Sequence, residues 1–371
     1  MEVVKPAMSS PTLSLTVSLA DQDFARTKSV GIFNLSLGLT RRLAEGGQFS
    51  RLTVLANATL AGSPAWPDGV KCERHEWAVR GRLARLWWDQ WGVYSAARRT
   101  VNDWLLLPKG FASFLRRPPL KLAVYVHDAM HDFYQRAHPG AVAALEQTYF
   151  RRALRASLQH ARVVFTNTEF TAQEVRRLAT QAGLPPPRGV VAGIGFERPA
   201  PAPVAERRGI VVLASPFPHK RTALAAEWLA RWHRESGFAD EVNWVGGLPA
   251  GLTLPDCPNW HRRERLPETD YRRLLADARA LVFFSEYEGF GMPPVEAALA
   301  GACPVFSAIP ATREVMGDAG CAFANDDYES FRTAMNFAMK APREQIASWA
   351  ESLLARHNWT RVLDRFVAGL K

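Results

Sequence analysis

The twelve residues Ser285 to Glu296, SEYEGFGMPPVE, concentrate more potential chemistry than any other stretch of the chain. Gly289 and Gly291 flank Phe290 and give a loop whose backbone can approach a ligand closely. Pro293 and Pro294 suit the first turn of a helix, where a missing N–H costs nothing, and Gly301 is placed to end that helix after VEAALA. The free N–H groups and positive dipole end of such a helix favour a diphosphate. Glu296, expected in the first helical turn, would repel phosphate but can accept two hydrogen bonds from a ribose diol. Glu288 stands before the glycines, where a sugar carried by the diphosphate would lie.

These residues must be held by a framework, and the sequence supplies one. Short β-branched runs (TLSLTVS, RLTVL, KLAVYV and RVVFT, then GIVVLA, EVNWV, RALVFF and ACPVF) alternate with helical spacing such as FTAQEVRRLATQA and TDYRRLLADA. Strand-helix alternation of this kind predicts α/β structure, with parallel sheets covered by helices on both faces. The proline-rich ERPAPAPVAERR reads as an exposed connection at 197–208. The expected division is residues 1–196, the linker, residues 209–350, and a C-terminal helix at 351–371 that returns to the first domain. Two doubly wound domains would face each other across a cleft, with ligands at the carboxyl ends of their strands. Polar and charged residues stand at those ends: His127 and Asp128, Asn167 to Glu169, Ser215 to Lys220, and Ser285 to Glu288.

The 371 residues are 47% hydrophobic and 22% charged, as in an ordinary globular protein, and no apolar run is long enough to span a bilayer. TLSLTVSLA lacks a basic flank and ends in the polar DQDF, so it reads as a buried strand and not as a signal peptide. Cys72, Cys257, Cys303 and Cys321 lie far apart with no CxxC spacing, which points to reduced thiols in the cytosol. The net charge of +10 suits a phosphorylated ligand or an anionic membrane surface. No nucleic-acid-binding motif accompanies it.

SEYEGFGMPPVEAALAGACPVFSAIPATREVMGDAG resembles the donor-site signature of the family-four retaining glycosyltransferases of GT-B fold, including its E-x(7)-E pair at Glu288 and Glu296. VHD at Val126 to Asp128, TNTEFTAQEV, and KRTALAAEWLA from Lys220 agree with further pieces of that family in the expected order. The resemblance is strong over 205–325 and ordered over 120–180. It implies that Glu296 holds the ribose, that Glu288 holds the donor sugar, and that the backbone around Gly289, Phe290, Gly291 and Met292 supports sugar and phosphate. Lys220 would neutralise the leaving diphosphate, so that no divalent metal is required, and His127 with Asp128 would meet the donor sugar. Gly31, in KSVGIFN, is the candidate for the family's glycine-containing first loop. The chain departs from the family at Ser215, where many members carry arginine, and at His219, where others carry a basic residue directly before the lysine. Arg221 and His219 are the candidate substitutes.

Two other spellings suggest metals: HDAMHD at His127 to Asp132, and the D-x-D of Asp21 to Asp23. Nothing else supplies a third ligand to the first at readable spacing, and the C-terminal signature points to a fold other than that of the metal-dependent transferases that carry the second. The segment from Trp77 to Trp104 interleaves arginines with tryptophans, as a membrane-surface helix or an ordinary packed helix would. The expectation is a transferase that moves a hexose from a UDP- or GDP-sugar to a saccharide acceptor with retention. Bacterial surface polysaccharide would be the product, and a lipid-linked acceptor would be met at the cytoplasmic membrane face. An inverting transferase, a nucleotide-sugar epimerase and a non-catalytic nucleotide-binding module are the alternatives.

Overall fold

The computed structural model describes residues 13–22, 30–61, 66–67, 69–76, 81–199, 207–257, 259–264 and 266–371. The middle of the proline-rich stretch, 200–206, lies outside them, as do Asp23 and Trp77. The chain forms two compact units: residues up to 131 with 143–195 and 359–371, and residues 132–142 with 196–358.

The first unit is built on a seven-stranded parallel sheet of β1 (Leu13–Ser18), β2 (Phe49–Ala56), β3 (Val70–Arg74), β4 (Trp104–Leu107), β5 (Lys121–Val126), β6 (Ala161–Thr166) and β7 (Gly189–Val191). Its order is β3-β2-β1-β4-β5-β6-β7. The central strands read as continuous apolar runs because helices cover both faces; Leu122, Ala123, Val124 and Tyr125 of β5 are all buried. The order in which strands are added reverses between β1 and β4, the place where an open α/β sheet opens a crevice. The last helix, Trp359–Leu370, belongs to this unit: Phe366 stacks on Phe165 of β6 with ring centroids 4.2 Å apart.

Between β3 and β4 the helix Arg82–Trp87 passes into a π-turn, Trp88–Gly92, and then into a second helix, Val93–Arg99. The first of these helices buries no residue, whereas the second buries Val93, Tyr94, Ala96 and Ala97. The π-turn therefore resets which face meets the core. Gly92 fits because a Cβ there would lie 2.7 Å from the Trp88 ring and 2.8 Å from the Trp87 ring.

The second unit carries a six-stranded parallel sheet of β8 (Ile210–Leu213), β9 (Val242–Val245), β10 (Trp260–Arg263), β11 (Ala280–Phe283), β12 (Cys303–Ser307) and β13 (Cys321–Phe323). Its order is β10-β9-β8-β11-β12-β13, which places the switch point between β8 and β11. Trp228, Trp232, Trp244, Phe284, Phe323 and Phe331 fill one face. Each such ring contributes several kcal/mol of burial, on the order of 25 cal/mol per Å². The four cysteines are free, but two that are separated in sequence meet: the Cys303 and Cys321 sulfurs are 3.6 Å apart on neighbouring strands. Both sheets are parallel and helix-covered, and the architecture is two Rossmann-like units of the GT-B type.

Candidate functional site

In the second unit the loops leaving β8 and β11 meet at the switch point. The first runs through Ser215 into a 3₁₀ turn, Pro218–Lys220, and then into the helix Thr222–Ser236. Ser215 is a turn residue there: its N–H donates to Thr222 Oγ1 at 3.0 Å, and the Thr222 hydroxyl donates back to its carbonyl at 2.7 Å. Between the two turns Arg221 adopts left-handed backbone, φ 46° and ψ 37°. That conformation costs a non-glycine residue about 1–2 kcal/mol, and such strain gathers at functional sites. The second loop is tied to the first by the Glu286 N–H, which donates to the His219 carbonyl at 2.7 Å.

These ties bring Lys220 and Glu288 together. The Lys220 ammonium pairs with Glu288 Oε1, which also accepts from the Ser285 hydroxyl at 2.8 Å. The ammonium sits 4.7 Å from the centre of the Phe283 ring. Beside this pair, Arg221 meets Glu286 at 3.2 Å and Asp326 at 3.1 Å.

His219 is engaged in a hydrogen bond of its own. It is buried, its Nδ1 is hydrogen-bonded to the Tyr134 hydroxyl at 2.5 Å, and its pKa falls to about 4 through burial and the neighbouring Lys220 charge. The ring is therefore neutral at physiological pH, and the cations of this cluster are Lys220 and Arg221.

Gly291 closes the glycine turn with φ 86°, where an added Cβ would lie 2.8 Å from Thr312 Cγ2. Only glycine meets both demands. The helix Met292–Ala300 follows, with Pro293 and Pro294 in its first turn and Gly301 as its cap. Its start at Met292 moves Glu296 out of the first turn, where it was expected, into the second. Glu296 is half-buried there, and its pKa is pushed up to about 7 by burial; Arg272 opposes the shift and Glu268 adds to it. Gly289 and Phe290 are buried, and the Phe290 ring packs on Phe196 and His357.

Three participants were not anticipated. Tyr134 and His138 come from the 132–142 stretch, which belongs to this unit although it precedes β6 in the chain. His138 Nε2 donates to Glu286 Oε2 at 2.8 Å, Phe133 stacks on Tyr287 at 4.6 Å, and Tyr134 anchors His219. The aromatic-histidine spelling HDFYQRAH was the available signal; its partners lie too far along the chain for spacing to reveal them.

The remaining expected residues lie in the first unit. His127 is buried at the end of β5, stacks on Tyr125, and donates from Nε2 to the Pro108 carbonyl at 2.6 Å. Burial lowers its pKa to about 4, so the ring is neutral, with its proton on Nε2 and Nδ1 left as the acceptor. Asp128 receives the Met130 N–H at 2.9 Å and so caps the helix Met130–Ala137. Gly31 is not in a loop: it is the second residue of the helix Val30–Glu45, exposed, because that helix begins one residue earlier than the glycine. His131 stacks on Phe150 at 3.9 Å. Among the described residues, no group of three His, Cys, Asp or Glu side chains is placed to hold a metal ion.

Residues 263–352 match the family described as glycosyl transferases group 1. The chain is 35% identical over 91 residues to O-antigen chain mannosyltransferase B of Escherichia coli, a match covering 24% of this chain and 23% of that protein. Sucrose-phosphate synthase from Thermosynechococcus elongatus superposes with a TM-score of 0.67 at 14% identity, over 95% of this chain and 97% of that one. HepE of Anabaena, solved in complex with UDP and glucose, superposes with a TM-score of 0.66 at 16% identity, over 96% and 99%.

Proposed function

From the premise that its second unit carries a group 1 glycosyl transferase domain, we propose that this protein moves a hexose from a nucleotide-diphosphate sugar to a saccharide acceptor. The observation that carries this reading is the Lys220–Glu288 pair, held at the β8–β11 switch point beside the glycine turn and the N-terminus of the Met292–Ala300 helix. An ammonium, a helix N-terminus and a carboxylate are the groups that a leaving diphosphate and a sugar diol require. On donor binding the phosphates would draw Lys220 from Glu288, and the freed carboxylate would turn to the sugar hydroxyls. Charge on the departing diphosphate would then rest on Lys220, Arg221 and the helix dipole, with no divalent metal in the scheme. Glu296 would hold the ribose.

Retention of anomeric configuration belongs to the same proposal. So does a role in surface polysaccharide synthesis, supported by the likeness to the O-antigen mannosyltransferase. UDP, which HepE binds, is the first nucleotide to test, and GDP the second. A lipid-linked acceptor at an anionic membrane surface fits the exposed Leu83 and Trp87 beside Arg82 and Arg85. No helix among the described residues is long and apolar enough to cross a membrane.

A thermal-shift panel of UDP, GDP, ADP and their sugars tests the reading, because a ligand that binds the native state raises its melting temperature. One nucleotide should raise it in the wild type and in Glu288→Ala, with no transfer by that variant. Full transfer by Glu288→Ala would overturn the assignment, and anomeric analysis of the product decides between retention and inversion.

A further inference from the structure

Cys303 opens β12 and Cys321 opens the neighbouring β13, and their sulfurs lie 3.6 Å apart. The register pairs Cys321 with Val305, two residues beyond Cys303, so the two cysteines stand diagonally on one face of the sheet. Their surroundings differ. Cys303 is fully buried, whereas Cys321 is 8% exposed and lines a groove of about 580 Å³ at the edge of the sheet. Ser330, Thr333 and Phe337 from the helix Tyr328–Ala338 and Trp349 from the helix Arg343–Arg356 form the rest of its wall. The hydrogen bond with Cys321 and burial push the Cys303 thiol up, against the nearby Arg207 charge, so Cys303 stays protonated.

β13 is a three-residue edge strand, and it leads directly into the candidate donor site. Two residues past its end, the Asn325 side chain donates to the Ser285 carbonyl at 2.8 Å. The Arg221 guanidinium donates to the Asn325 carbonyl and to the Asp326 carboxylate, each at 3.1 Å. A displacement of β13 along β12 is therefore passed to Arg221 through one short loop.

We propose that Cys303 and Cys321 form a reversible oxidation site, which hydrogen peroxide closes to a disulfide and which, once closed, loosens Arg221 in the donor site. Cys321, on the groove, attacks one peroxide oxygen. The O–O bond breaks, the departing hydroxide takes the thiol proton and leaves as water, and Cys321 becomes a sulfenic acid. The Cys303 sulfur then attacks the Cys321 sulfur. The S–OH bond breaks, and the hydroxyl leaves as a second water with the Cys303 proton. Two thiols are oxidised to one disulfide, and one peroxide is reduced to two waters.

Because the sulfurs are buried, local opening of the short edge strand limits the rate. The bond draws the sulfurs to about 2.05 Å, and the diagonal placement turns that approach into a slip of β13 against β12. Disulfides that must deform their backbone are the easily reduced ones, which makes the state reversible by thiols. The consequence for nucleotide rests on the function proposed above, whereas the disulfide itself does not.

Hydrogen peroxide treatment of the full chain, followed by alkylation and peptide mass mapping, tests this. Wild type should lose two hydrogens and yield a linked Cys303–Cys321 peptide that dithiothreitol separates, with Cys72 and Cys257 still open to alkylation. In Cys303→Ala, dimedone should trap the sulfenic acid at Cys321. Oxidation of wild type should speed amide exchange at Ala324, whose N–H donates to Ser330 Oγ at 3.1 Å, and at Asp327, whose N–H donates to the Ala324 carbonyl. Nucleotide affinity should fall by about tenfold, as loss of one hydrogen bond to a charged group predicts, and recover with dithiothreitol. Neither change should occur in Cys321→Ala. The wild-type peptide map decides the disulfide by itself, whatever the stability of the variants. Absence of the linked peptide overturns the proposal, and a linked peptide with unchanged exchange at Ala324 and Asp327 overturns its reach to Arg221. A linked peptide with faster exchange, but no nucleotide-induced thermal shift even in the reduced protein, would instead sink the donor reading and leave the oxidation site standing.

Discussion

Each unit places a lysine-carboxylate pair at the switch point of its sheet, Asp21 with Lys109 in the first and Lys220 with Glu288 in the second. The strand order that makes the crevice is the same, and the surroundings differ. Around Lys220 stand Arg221, a glycine turn and the start of a nine-residue helix, all of which favour an anion. Around Lys109 stand a second carboxylate, Asp89, and the Tyr149 hydroxyl that donates to it, which disfavour an anion. Topology thus decides where a ligand lies, and the loop residues decide what it is.

The comparison breaks most sharply if the two lysines are exchanged for methionine. Lys220→Met should lower kcat by about a hundredfold or more if, as proposed, it removes the cation that the leaving group requires. Lys109→Met, which breaks only the ion pair with Asp21, should leave kcat near wild type and act mainly on stability. Nucleotide release measured against donor and acceptor concentration separates the two, and equal losses in both variants would dissolve the distinction.

Next in size is a steric effect. Gly291→Ala should cost about 2–4 kcal/mol, combining the left-handed backbone with the approach to Thr312 Cγ2. Adding Thr312→Ser removes that methyl while keeping the hydroxyl that donates to the Ser307 carbonyl. Denaturant melts should therefore show partial recovery in the double variant, and no recovery would mean that the backbone alone carries the cost.

Glu296 predicts a pH dependence confined to the second unit. Its folded pKa of about 7 lies above the usual glutamate value, so the native state holds this proton more tightly than the unfolded chain. Its contribution to stability is therefore complete below the ordinary glutamate pKa and is lost as pH rises through 7. Glu296→Gln should melt higher than wild type at pH 8 and nearly level with it at pH 4.5. Nucleotide affinity of the wild type should rise through the same window, as the carboxylate forms and can accept from both ribose hydroxyls. Affinity that is flat from pH 6 to 8 would remove Glu296 from the nucleotide.

The smallest effect is expected from Tyr134→Phe, which deletes one hydrogen bond to a neutral His219 and should cost about 1 kcal/mol with little change in kcat.

The sequence revealed most of the apolar strands, missed the apolar and buried β4, WLLL, and hid the shortest and the polar ones. β5, β6, β8 and β11 announce themselves as apolar runs, whereas β7 and β13 have three residues each, too few for a pattern. β3 and β10 are edge strands whose half-exposed charged residues read as loop. The site divided along a similar line. Lys220 and Glu288 were each legible as residues at strand ends, but their ion pair joins positions 68 residues apart, beyond any spacing rule. Gly31 read as loop because the resemblance calls for a glycine-containing first loop, yet it sits in a helix. Cys303 and Cys321 looked unrelated because strand neighbours need not be sequence neighbours.

The π-turn at Trp88–Gly92 makes the first unit sensitive to a single insertion or deletion. A π-turn holds one residue more than an α-helical turn, so losing one residue there would restore ordinary helix and rotate everything on one side by about 100°. Trp88 and Asp89 would swing away from Ser18 and Lys109, and the exposed side chains Leu83 and Trp87 would turn to a new direction. Chains that share this sheet but differ by one residue in this segment would thus present different side chains at the β1–β4 switch point of the same scaffold. Length, and not only residue identity, becomes the variable through which such a site diverges.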